Sequence, residues 1–466
     1  MEHPLPFLMA LKEYAEQDYY PFHTPGHKGG RGVSPEFAQL LTNTLRADVS
    51  LLHGLDDIHY PTGILQEAQN LAAQIYGADR SFFCVNGTSG AIHAMIMAAL
   101  QPDEAILLPR NAHRSVVGAL VLSGAQPIYV NPQYDSDFCF VTQITCQDVQ
   151  KQLFNRSDIK AVLVTTPNYY GIAAKLCEIE KTVHATGALL LVDEAHGPHL
   201  GFSEVLPLSA LQCGADAVAQ STHKILGAMT QASILHVKKG RMDPEKVRQA
   251  ISLLTTTSPN QLLLASLDAV FNQICTAGRE MMEKAVASAI YFRKRLAEID
   301  GLKVFIDQRE NLFDLTKITV NFSDIGYTGH EAECFLRSKG ITVEFADKSN
   351  VLFLITYADT ITGINMAVQA LRELAARSRE TLTKLPLSLP APQILLTPRQ
   401  AFFSKRGVKL LSEARGFIAA EELTFYPPGI PVLLPGERIS EDVLLYCRMQ
   451  ADNEQEYREK YINVVL

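Results

Sequence analysis

Three features are missing from this chain of 466 residues, and each absence excludes a class of protein. No apolar run approaches the ~18 residues that a membrane-spanning helix requires, and the chain does not begin with a basic segment followed by an apolar core, so we expect a soluble, cytoplasmic protein. The eight cysteines include no CxxC pair and no zinc-like spacing, which predicts no metal site and free thiols in a reducing compartment. An excess of basic residues is also missing, and the net charge of −8 argues against a nucleic-acid-binding protein.

What the sequence does contain is an alternation of short apolar runs with helical patterns between about residues 65 and 240. The predicted strands are 81–85, 105–108, 127–130, 161–165, 188–192, 215–219 and 232–237. Strands that alternate with helices form βαβ units, so the pattern predicts an α/β fold with a mostly parallel, seven-stranded sheet and helices on both faces. Residues 261–299 predict one or two long helices that lead away from this sheet.

Changes in pattern divide the chain into four predicted regions. They are an N-terminal segment at 1–60, a large α/β domain at 61–275, a small α+β domain at 276–383 and a C-terminal tail domain at 384–466. Strands near 302–306, 316–322, 341–346 and 351–357 and helices near 329–338 and 361–377 are predicted in the small domain. A proline-rich stretch at 385–392 predicts an extended linker before the tail domain.

Two of the predicted strands end in side chains of complementary chemistry. Asp193 follows strand 188–192, and Lys224 follows strand 215–219 within the sequence Ser-Thr-His-Lys. The carboxyl ends of parallel strands meet at one edge of a sheet, where such folds bind ligands. Pyridoxal 5′-phosphate (PLP) requires a lysine amine for its Schiff base and a carboxylate that keeps its pyridine nitrogen protonated. A strand-end Asp alone is often a helix cap and a lone Lys is usually solvated, but the two together predict a PLP site.

Further polar residues are predicted to hold the phosphate of this cofactor. Thr88, Ser89 and Gly90 lie between strand 81–85 and an apolar helix, and a helix N-terminus with hydroxyl groups favours an anion. Ser221 and His223, just before the lysine, are placed to reach the same anion.

Two histidines and one small residue complete the predicted cofactor site. His113 follows the end of strand 105–108, where an imidazole can stack on the cofactor ring. His196 lies three residues after Asp193 and is expected to orient that carboxylate or to contact ring substituents. The short side chain of Ala195 leaves room for a flat ring.

Seven motifs together resemble the bacterial ornithine/lysine/arginine decarboxylases, which belong to the aspartate-aminotransferase-like group of fold-type I PLP enzymes. The resemblance runs from about residue 20 to about residue 440. The motifs are Pro-Gly-His-Lys at 25–28, Leu-Asp-Asp at 55–57, Asn-Gly-Thr-Ser-Gly at 86–90, Asp-Glu-Ala-His-Gly at 193–197, Ser-Thr-His-Lys at 221–224, Thr-Thr-Thr-Ser-Pro at 255–259 and Tyr-Pro-Pro-Gly-Ile-Pro at 426–431.

The resemblance implies a role for each candidate residue. Lys224 would form the Schiff base, Asp193 would pair with the pyridinium, His113 would stack on the ring, and Lys224 or His223 would return the proton to the substrate. Thr88, Ser89, Ser221 and His223 would hold the phosphate. Thr256 would reach the phosphate of a neighbouring subunit, so the resemblance implies a homodimer at least, with contacts from segment 1–60.

The resemblance also implies decarboxylation of a basic amino acid. Arginine, converted to agmatine and CO₂ for polyamine synthesis, is favoured over lysine, and lysine over ornithine, because the chain begins close to the Pro-Gly-His-Lys segment like the compact members of the family. A guanidinium favours carboxylate partners. Candidates are Glu344, Asp347, Asp56, Asp57 and Glu437, and the resemblance favours Asp347 and Glu437.

Two alternatives remain open at this stage. An aminotransferase or other fold-type I enzyme would keep the cofactor and change the reaction, and Arg372, Arg377 and Arg399 are available to clamp a substrate carboxylate. A PLP-binding regulator without turnover is the second alternative, although both the lysine and the pyridinium acid are present.

Overall fold

A computed structural model of the chain describes residues 5–52, 54–309, 311–382, 389–425, 430–451 and 454–466. Its largest element is a seven-stranded sheet. In chain order the strands are β1 (Arg80–Cys84), β2 (Ala105–Pro109), β3 (Gln126–Val130), β4 (Ile159–Thr165), β5 (Leu189–Asp193), β6 (Ala217–Gln220) and β7 (Ser233–Val237). The spatial order is β1-β7-β6-β5-β4-β2-β3. All seven predicted strands are confirmed, and their ends shift by no more than two residues.

Alternate residues of each central strand enter separate hydrophobic clusters. In β5, Leu190 and Val192 pack into one cluster and Leu191 into the other, and all three are buried. A strand covered by helices on both faces needs apolar residues at every position, which is why these runs read as continuous rather than alternating. The prediction of a sheet with two covered faces is therefore confirmed.

The direction of the strands brings their carboxyl ends to one edge. Strands β2 to β6 pair in parallel, whereas β7 runs antiparallel to both β6 and β1. Strand β1 consequently points the same way as β6. The loops that follow β1, β2, β4, β5 and β6 all emerge at this edge, together with the start of β7.

A second sheet has four strands. They are β8 (Lys303–Val304), β9 (Lys317–Asn321), β10 (Phe345–Ala346) and β11 (Asn350–Leu354), in the order β8-β9-β11-β10 and all antiparallel. Helices Gly329–Ser338 and Ile361–Ala375 pack with this sheet around one core. The predicted elements of this region are confirmed, although β8 and β10 are shorter than predicted.

The remaining elements cover the large sheet or form the C-terminal part. The other α-helices are Pro6–Glu16, Pro35–Leu41, Ile64–Tyr76, Gly87–Ala99, Arg114–Ser123, Cys146–Asn155, Leu176–Ala185, Thr222–Ile225, Pro244–Leu254, Gln261–Leu296, Pro398–Phe403, Glu441–Gln450 and Glu454–Glu459. Three further strand pairs join Tyr134–Asp135 to Phe140–Val141, Arg406–Leu410 to Tyr461–Val465, and Leu423–Phe425 to Ile430–Leu433.

The predicted domain boundaries stay predictions. Helix Gln261–Leu296 runs without a break across the boundary predicted at 275/276 and connects the two sheets. Residues 385–388 of the predicted linker and 426–429 of the Tyr-Pro-Pro-Gly-Ile-Pro motif lie outside the described residues. None of the helices in the described ranges is both long and apolar enough to span a bilayer.

The prediction that all cysteines are free thiols is wrong for one pair. Cys177, in helix Leu176–Ala185, is bonded to Cys213, which lies in the loop before β6. The helix covers the sheet beside that loop, so the two residues, 36 apart in sequence, approach to a Cα–Cα distance of 4.6 Å. The spacing of the two cysteines along the chain does not indicate that the fold brings them together.

The disulfide predicts the number of thiols that react in the unfolded chain. Alkylation of the protein denatured without reductant is expected to add six labels, because six cysteines are free, and reduction before alkylation is expected to add eight. Mass spectrometry of the intact chain and of the peptides that contain Cys177 and Cys213 measures both numbers. Eight labels before reduction would contradict the bond.

Candidate active site

The first part of the site is the beginning of helix Gly87–Ala99, directly after β1. Within the described structure the side chain of Asn86 makes no cap hydrogen bond, so the amide groups of the first helical turn are left without a side-chain partner there. Gly87 has a φ of +63°, which turns the chain sharply from strand into helix. Gly90 is buried and Ser89 is exposed. The combination of an uncapped helix N-terminus and hydroxyl groups suits a bound phosphate.

Hydroxyl groups from three strands meet at this helix end. Thr88 Oγ1 lies 2.6 Å from Ser221 Oγ and 2.8 Å from Ser233 Oγ. Thr88 follows β1, Ser221 follows β6 and Ser233 begins β7, so the antiparallel β7 places its first residue at the edge where β1 and β6 end. The sequence prediction grouped Thr88 with Ser221 and did not include Ser233.

The amine of Lys224 lies at the centre of the site. Its Nζ is 2.9 Å from Nε2 of His196 and 5.8 Å from the ring centroid of Tyr169. The rings of Tyr169 and His196 form an edge contact with centroids 4.9 Å apart. Burial lowers the pKa of Lys224, whereas the charges of Asp193 and Glu344 oppose that shift. A lysine with a lowered pKa has a larger share of neutral, nucleophilic amine.

His196 is the hydrogen-bond partner of this amine. Burial and then the charge of Lys224 hold the pKa of His196 well below its ordinary value, so the ring is neutral. Which of the two groups donates depends on which ring nitrogen of His196 carries the proton. Among the described residues the buried Nδ1 of His196 has no hydrogen-bond partner.

Asp193 supplies a buried carboxylate at the end of β5. Its side chain accepts a hydrogen bond from the backbone N–H of Ala195 at 3.1 Å. Burial raises the pKa of Asp193, and the Ala195 hydrogen bond and the charge of Lys224 oppose this. A cationic group beside this carboxylate, such as a pyridinium, would offset the free-energy cost of burying its negative charge.

His113 and His223 flank the same lysine. His113 caps helix Arg114–Ser123, and its Nδ1 lies 2.8 Å from Ser115 Oγ. Burial, followed by the charge of Lys224, lowers the pKa of His113 to about 4. Burial also lowers the pKa of His223, whose Nδ1 is 2.8 Å from the carbonyl oxygen of Ala232. Both rings are neutral at physiological pH, which suits stacking and hydrogen bonding rather than charge pairing.

Three predicted residues lie apart from this cluster in the single chain. Thr256 is exposed, and its carbonyl oxygen lies 3.1 Å from Nε2 of His59. Asp347 accepts hydrogen bonds from the Tyr170 hydroxyl at 2.9 Å and from the turn that follows it. Glu437 is 2% exposed and pairs with Arg110 at 3.0 Å.

The other carboxylates considered for the substrate differ in their contacts. Asp56 accepts hydrogen bonds from backbone amides at the start of helix Ile64–Tyr76, and Asp57 accepts one from the amide of His59. Glu344 is exposed, and its charge opposes the lowering of the pKa of both Lys224 and His223. Of the candidate carboxylates, Glu344 is therefore the one outside the large sheet whose charge acts on the lysine.

Two residues of the site were not selected from the sequence. Tyr169 lies in the motif Thr-Thr-Pro-Asn-Tyr-Tyr-Gly at 165–171, which follows a predicted strand. This position is a detectable signal of a functional residue, but Pro, Asn and Gly are equally typical of an ordinary turn. Ser233 carried no signal, because it begins a strand instead of following one.

The residues present fit PLP. The uncapped helix end and the hydroxyl groups around Thr88 suit its phosphate, the buried Asp193 carboxylate suits its ring nitrogen, and Lys224 presents an amine of lowered pKa. The carboxylate and the amine come from adjacent parallel strands, and the phosphate-binding elements come from β1 and β6 at the same edge.

The fold and the site together define the class of protein. The fold is that of the fold-type I PLP enzymes, and a solved structure of lysine decarboxylase A from Pseudomonas aeruginosa superposes with a TM-score of 0.85 at 23% identity, over 99% of this chain and 80% of that one. The sequence matches "Orn/Lys/Arg decarboxylase, major domain" over residues 5–318 and the C-terminal domain of the same family over residues 381–457.

The chain belongs to the Orn/Lys/Arg decarboxylase family, a family of amino-acid decarboxylases. It is similar to the arginine decarboxylase of Bacillus subtilis (strain 168), with 41% identity over 97% of this chain and 94% of that protein. The arginine decarboxylase of Bacillus anthracis is also 41% identical, over 96% of this chain and 93% of that protein. The resemblance that the motifs indicated is confirmed.

The low pKa of His113 predicts the pH at which its imidazole takes up a proton. In the full-length chain with isotope-labelled histidine, the NMR signals of His113 are expected to titrate with a midpoint of about 4, because burial and the charge of Lys224 disfavour the imidazolium. Lys224→Met is expected to raise this midpoint, since it removes the positive charge that disfavours the imidazolium form of His113. His113→Gln assigns the signal, and a midpoint at the ordinary 6.5 would contradict the burial of this ring.

Proposed function

We propose that this chain is a PLP-dependent decarboxylase of L-arginine, which it converts to agmatine and CO₂. The observation that carries the proposal is that the amine of Lys224 and the buried carboxylate of Asp193 interact electrostatically at the edge of the sheet, in a chain 41% identical to arginine decarboxylases over nearly its whole length. The proposed cofactor residues are Lys224, Asp193, Ala195, His196, His113, Thr88, Ser89, Gly90, Ser221, His223 and Thr256.

When bound, PLP supplies an electron sink for the electron pair that remains at Cα after CO₂ leaves. The residues of the chain prepare this reaction. Lys224 would hold the cofactor through its amine, which lies 2.9 Å from Nε2 of His196. Asp193 would hold the proton on the ring nitrogen of the cofactor by its charge, because the carboxylate is shielded from water.

A proton must return to Cα after CO₂ has left. Lys224 and His223 are the proposed donors, and the negative charge of Glu344 favours the protonated form of both. To act as the donor, Lys224 would first have to carry a proton, which the ammonium group of the incoming substrate can supply. His196, hydrogen-bonded to Lys224 Nζ, would fix the position of that amine.

The arginines expected for an aminotransferase clamp have other contacts. Arg372 pairs with Glu298 at 3.5 Å, Arg377 lies over the ring of Phe335, and Arg399 donates to the carbonyl oxygen of Leu122. Within the described part of the chain none of these contacts involves Lys224, but Arg399 lines one cavity together with Ser89 and His113. The contacts of Arg372 and Arg377 support loss of the substrate carboxylate in preference to its retention.

Recognition of the guanidinium requires carboxylates at the end of the substrate pocket that lies away from the amine of Lys224. Glu344 is exposed and acts electrostatically on Lys224, so we include it beside the predicted Asp347 and Glu437. Asp347 and Glu437 already have partners in the single chain, and their role stays a proposal. Among the described residues, one carboxylate oxygen of Glu437, Oε1, is buried without a hydrogen bond.

We further propose that two chains share each site in a homodimer. Large apolar side chains of the N-terminal segment are exposed in the single chain, which is typical of an interaction surface. They are Tyr19, Tyr20, Phe22, Leu40 and Tyr60, each between 61% and 90% exposed. Thr256 lies in an exposed loop, as a residue that reaches into a second subunit must.

A substrate panel tests the reaction. The full-length chain with PLP is expected to release CO₂ and agmatine from arginine with a higher kcat/KM than it shows for lysine or ornithine. Lys224→Ala is expected to lower kcat by about 10³-fold or more, because it removes the amine that holds and activates the cofactor. Lys339→Ala, at an exposed lysine that pairs with Glu373, is the matched control. Formation of a keto acid without CO₂ would contradict decarboxylation.

Mixing two inactive variants tests the shared site. Lys224→Ala and Thr256→Asp chains are each expected to be inactive, the second because a carboxylate would repel the phosphate. After unfolding and refolding together, half of the dimers are mixed and each has one intact site, so about one quarter of the wild-type activity is expected. A mixture that stays inactive while mixed dimers are present would contradict a contribution of Thr256 across the interface.

A further inference from the structure

A buried ionic cluster lies beside the site and has no part in the proposed reaction. His199 Nε2 is 3.2 Å from Asp314 Oδ1, and Lys317 Nζ is 3.3 Å from Asp314 Oδ2. Thr316 donates its hydroxyl to Asp314 Oδ1 at 2.6 Å. All four residues are fully buried. Although burial alone would raise the pKa of Asp314, the charges of His199 and Lys317 hold it below its ordinary value.

The cluster joins the small sheet to two loops of the active site. Asp314 and Lys317 lie at the beginning of β9, whereas His199 follows Asp193 and His196 on the loop after β5. The backbone N–H of Asp314 donates to the carbonyl oxygen of Gly171 at 2.8 Å, two residues after Tyr169. The loops that carry Tyr169 and His196 are therefore both attached to the turn that carries Lys317.

Gly171 shows how closely Lys317 is packed. A Cβ atom on Gly171 would lie 2.9 Å from both Cβ and Cγ of Lys317, so glycine leaves the space that the lysine stem fills. Arg293 holds the same turn from the opposite side by donating to the carbonyl oxygens of Leu315 and Lys317. The position of the Lys317 side chain is thus fixed by packing and by hydrogen bonds.

Burying the charge of Lys317 costs free energy of folding, because water no longer solvates the ammonium group. Replacing a buried ion pair by apolar side chains of similar volume is often neutral or stabilising. Moreover, within the described residues Lys317 Nζ makes the ion pair with Asp314 but no hydrogen bond. Stability by itself therefore gives little reason for the pair of Lys317 and Asp314, because two apolar residues would fill the same space.

The field of Lys317 reaches the active site. Lys317 is one of the charges that lower the pKa of Lys224, in addition to burial. It acts in the same direction on His196, where the charge of its partner Asp314 opposes it. The other charged or titratable groups that interact with Lys224 come from the strand ends and from the small sheet. They are Asp193, His113, His196, His223 and Glu344.

We propose that Lys317 is a positioning residue: an ammonium held by Asp314 under the loops of the active site, whose field disfavours a second ammonium at Lys224. The inference rests on the proposed role of Lys224 as the cofactor-bearing lysine. A second cation near a catalytic lysine is a known means of activating its amine. Since Lys317 is fully buried, it acts through Lys224 and not by contact with substrate.

The test measures the titration of Lys224 in the cofactor-free, full-length chain. Trace labelling with acetic anhydride at a series of pH values, followed by mass spectrometry of the Lys224 peptide, gives the midpoint of its amine. Lys317→Met is expected to raise this midpoint by about one pH unit, because it removes a cation whose charge disfavours the ammonium form of Lys224. In the cofactor-loaded chain, the pH midpoint of the visible absorbance is expected to rise as well.

Lys303→Met is the matched control, because Lys303 is an exposed lysine of the same sheet that pairs with Asp324, and it is expected to leave both midpoints unchanged. Lys317→Gln, whose amide can still bond to Asp314, replaces Lys317→Met if that variant does not fold. A lowered melting temperature with an unchanged Lys224 midpoint would overturn the proposal, since a purely structural residue behaves in that way. The midpoint is measured without turnover, so a chain that shows the shift but releases no CO₂ would contradict only the proposed function.

Discussion

The contact between Lys224 Nζ and His196 Nε2, 2.9 Å apart, depends on most of the large sheet. Lys224 follows β6 and His196 follows β5, and these strands are neighbours in parallel register. Their apolar side chains are buried on both faces, so the strand ends cannot shift independently. The polar loops that follow are consequently held at fixed positions by an apolar core that takes no part in the chemistry.

Burial of this edge sets the protonation of its residues. It lowers the pKa of Lys224, His113, His196 and His223, and it raises the pKa of Asp193. The basic groups therefore lose their protons more readily, while the carboxylate favours a cationic partner. An aldehyde cofactor with a basic ring nitrogen meets both conditions, because it takes up the amine and offers the cation.

Charged residues in and beside the small sheet also affect the protonation of Lys224. Glu344 acts on Lys224 as an exposed negative charge, whereas Lys317 acts on it as a buried positive charge. The buried charge is less screened by water and salt, so its effect is the more constant of the two. The turn that carries Lys317 also bonds to the loops of Tyr169 and His196, which links the geometry of the site to the placement of the small sheet.

The sequence by itself determined the seven strands of the large sheet, the grouping of Asp193, Lys224, Thr88 and Ser221, and the family. These follow from local patterns, because a buried strand is a short apolar run and its polar residues come directly after it. Only the tertiary structure decided the contacts between distant segments. His199 and Asp314 are 115 residues apart, and Cys177 and Cys213 are 36 apart, so no local pattern joins them. The partners of Asp347 and Glu437 were likewise beyond the sequence, because a carboxylate that caps a turn or pairs with a buried arginine has the same local pattern as one that awaits a substrate.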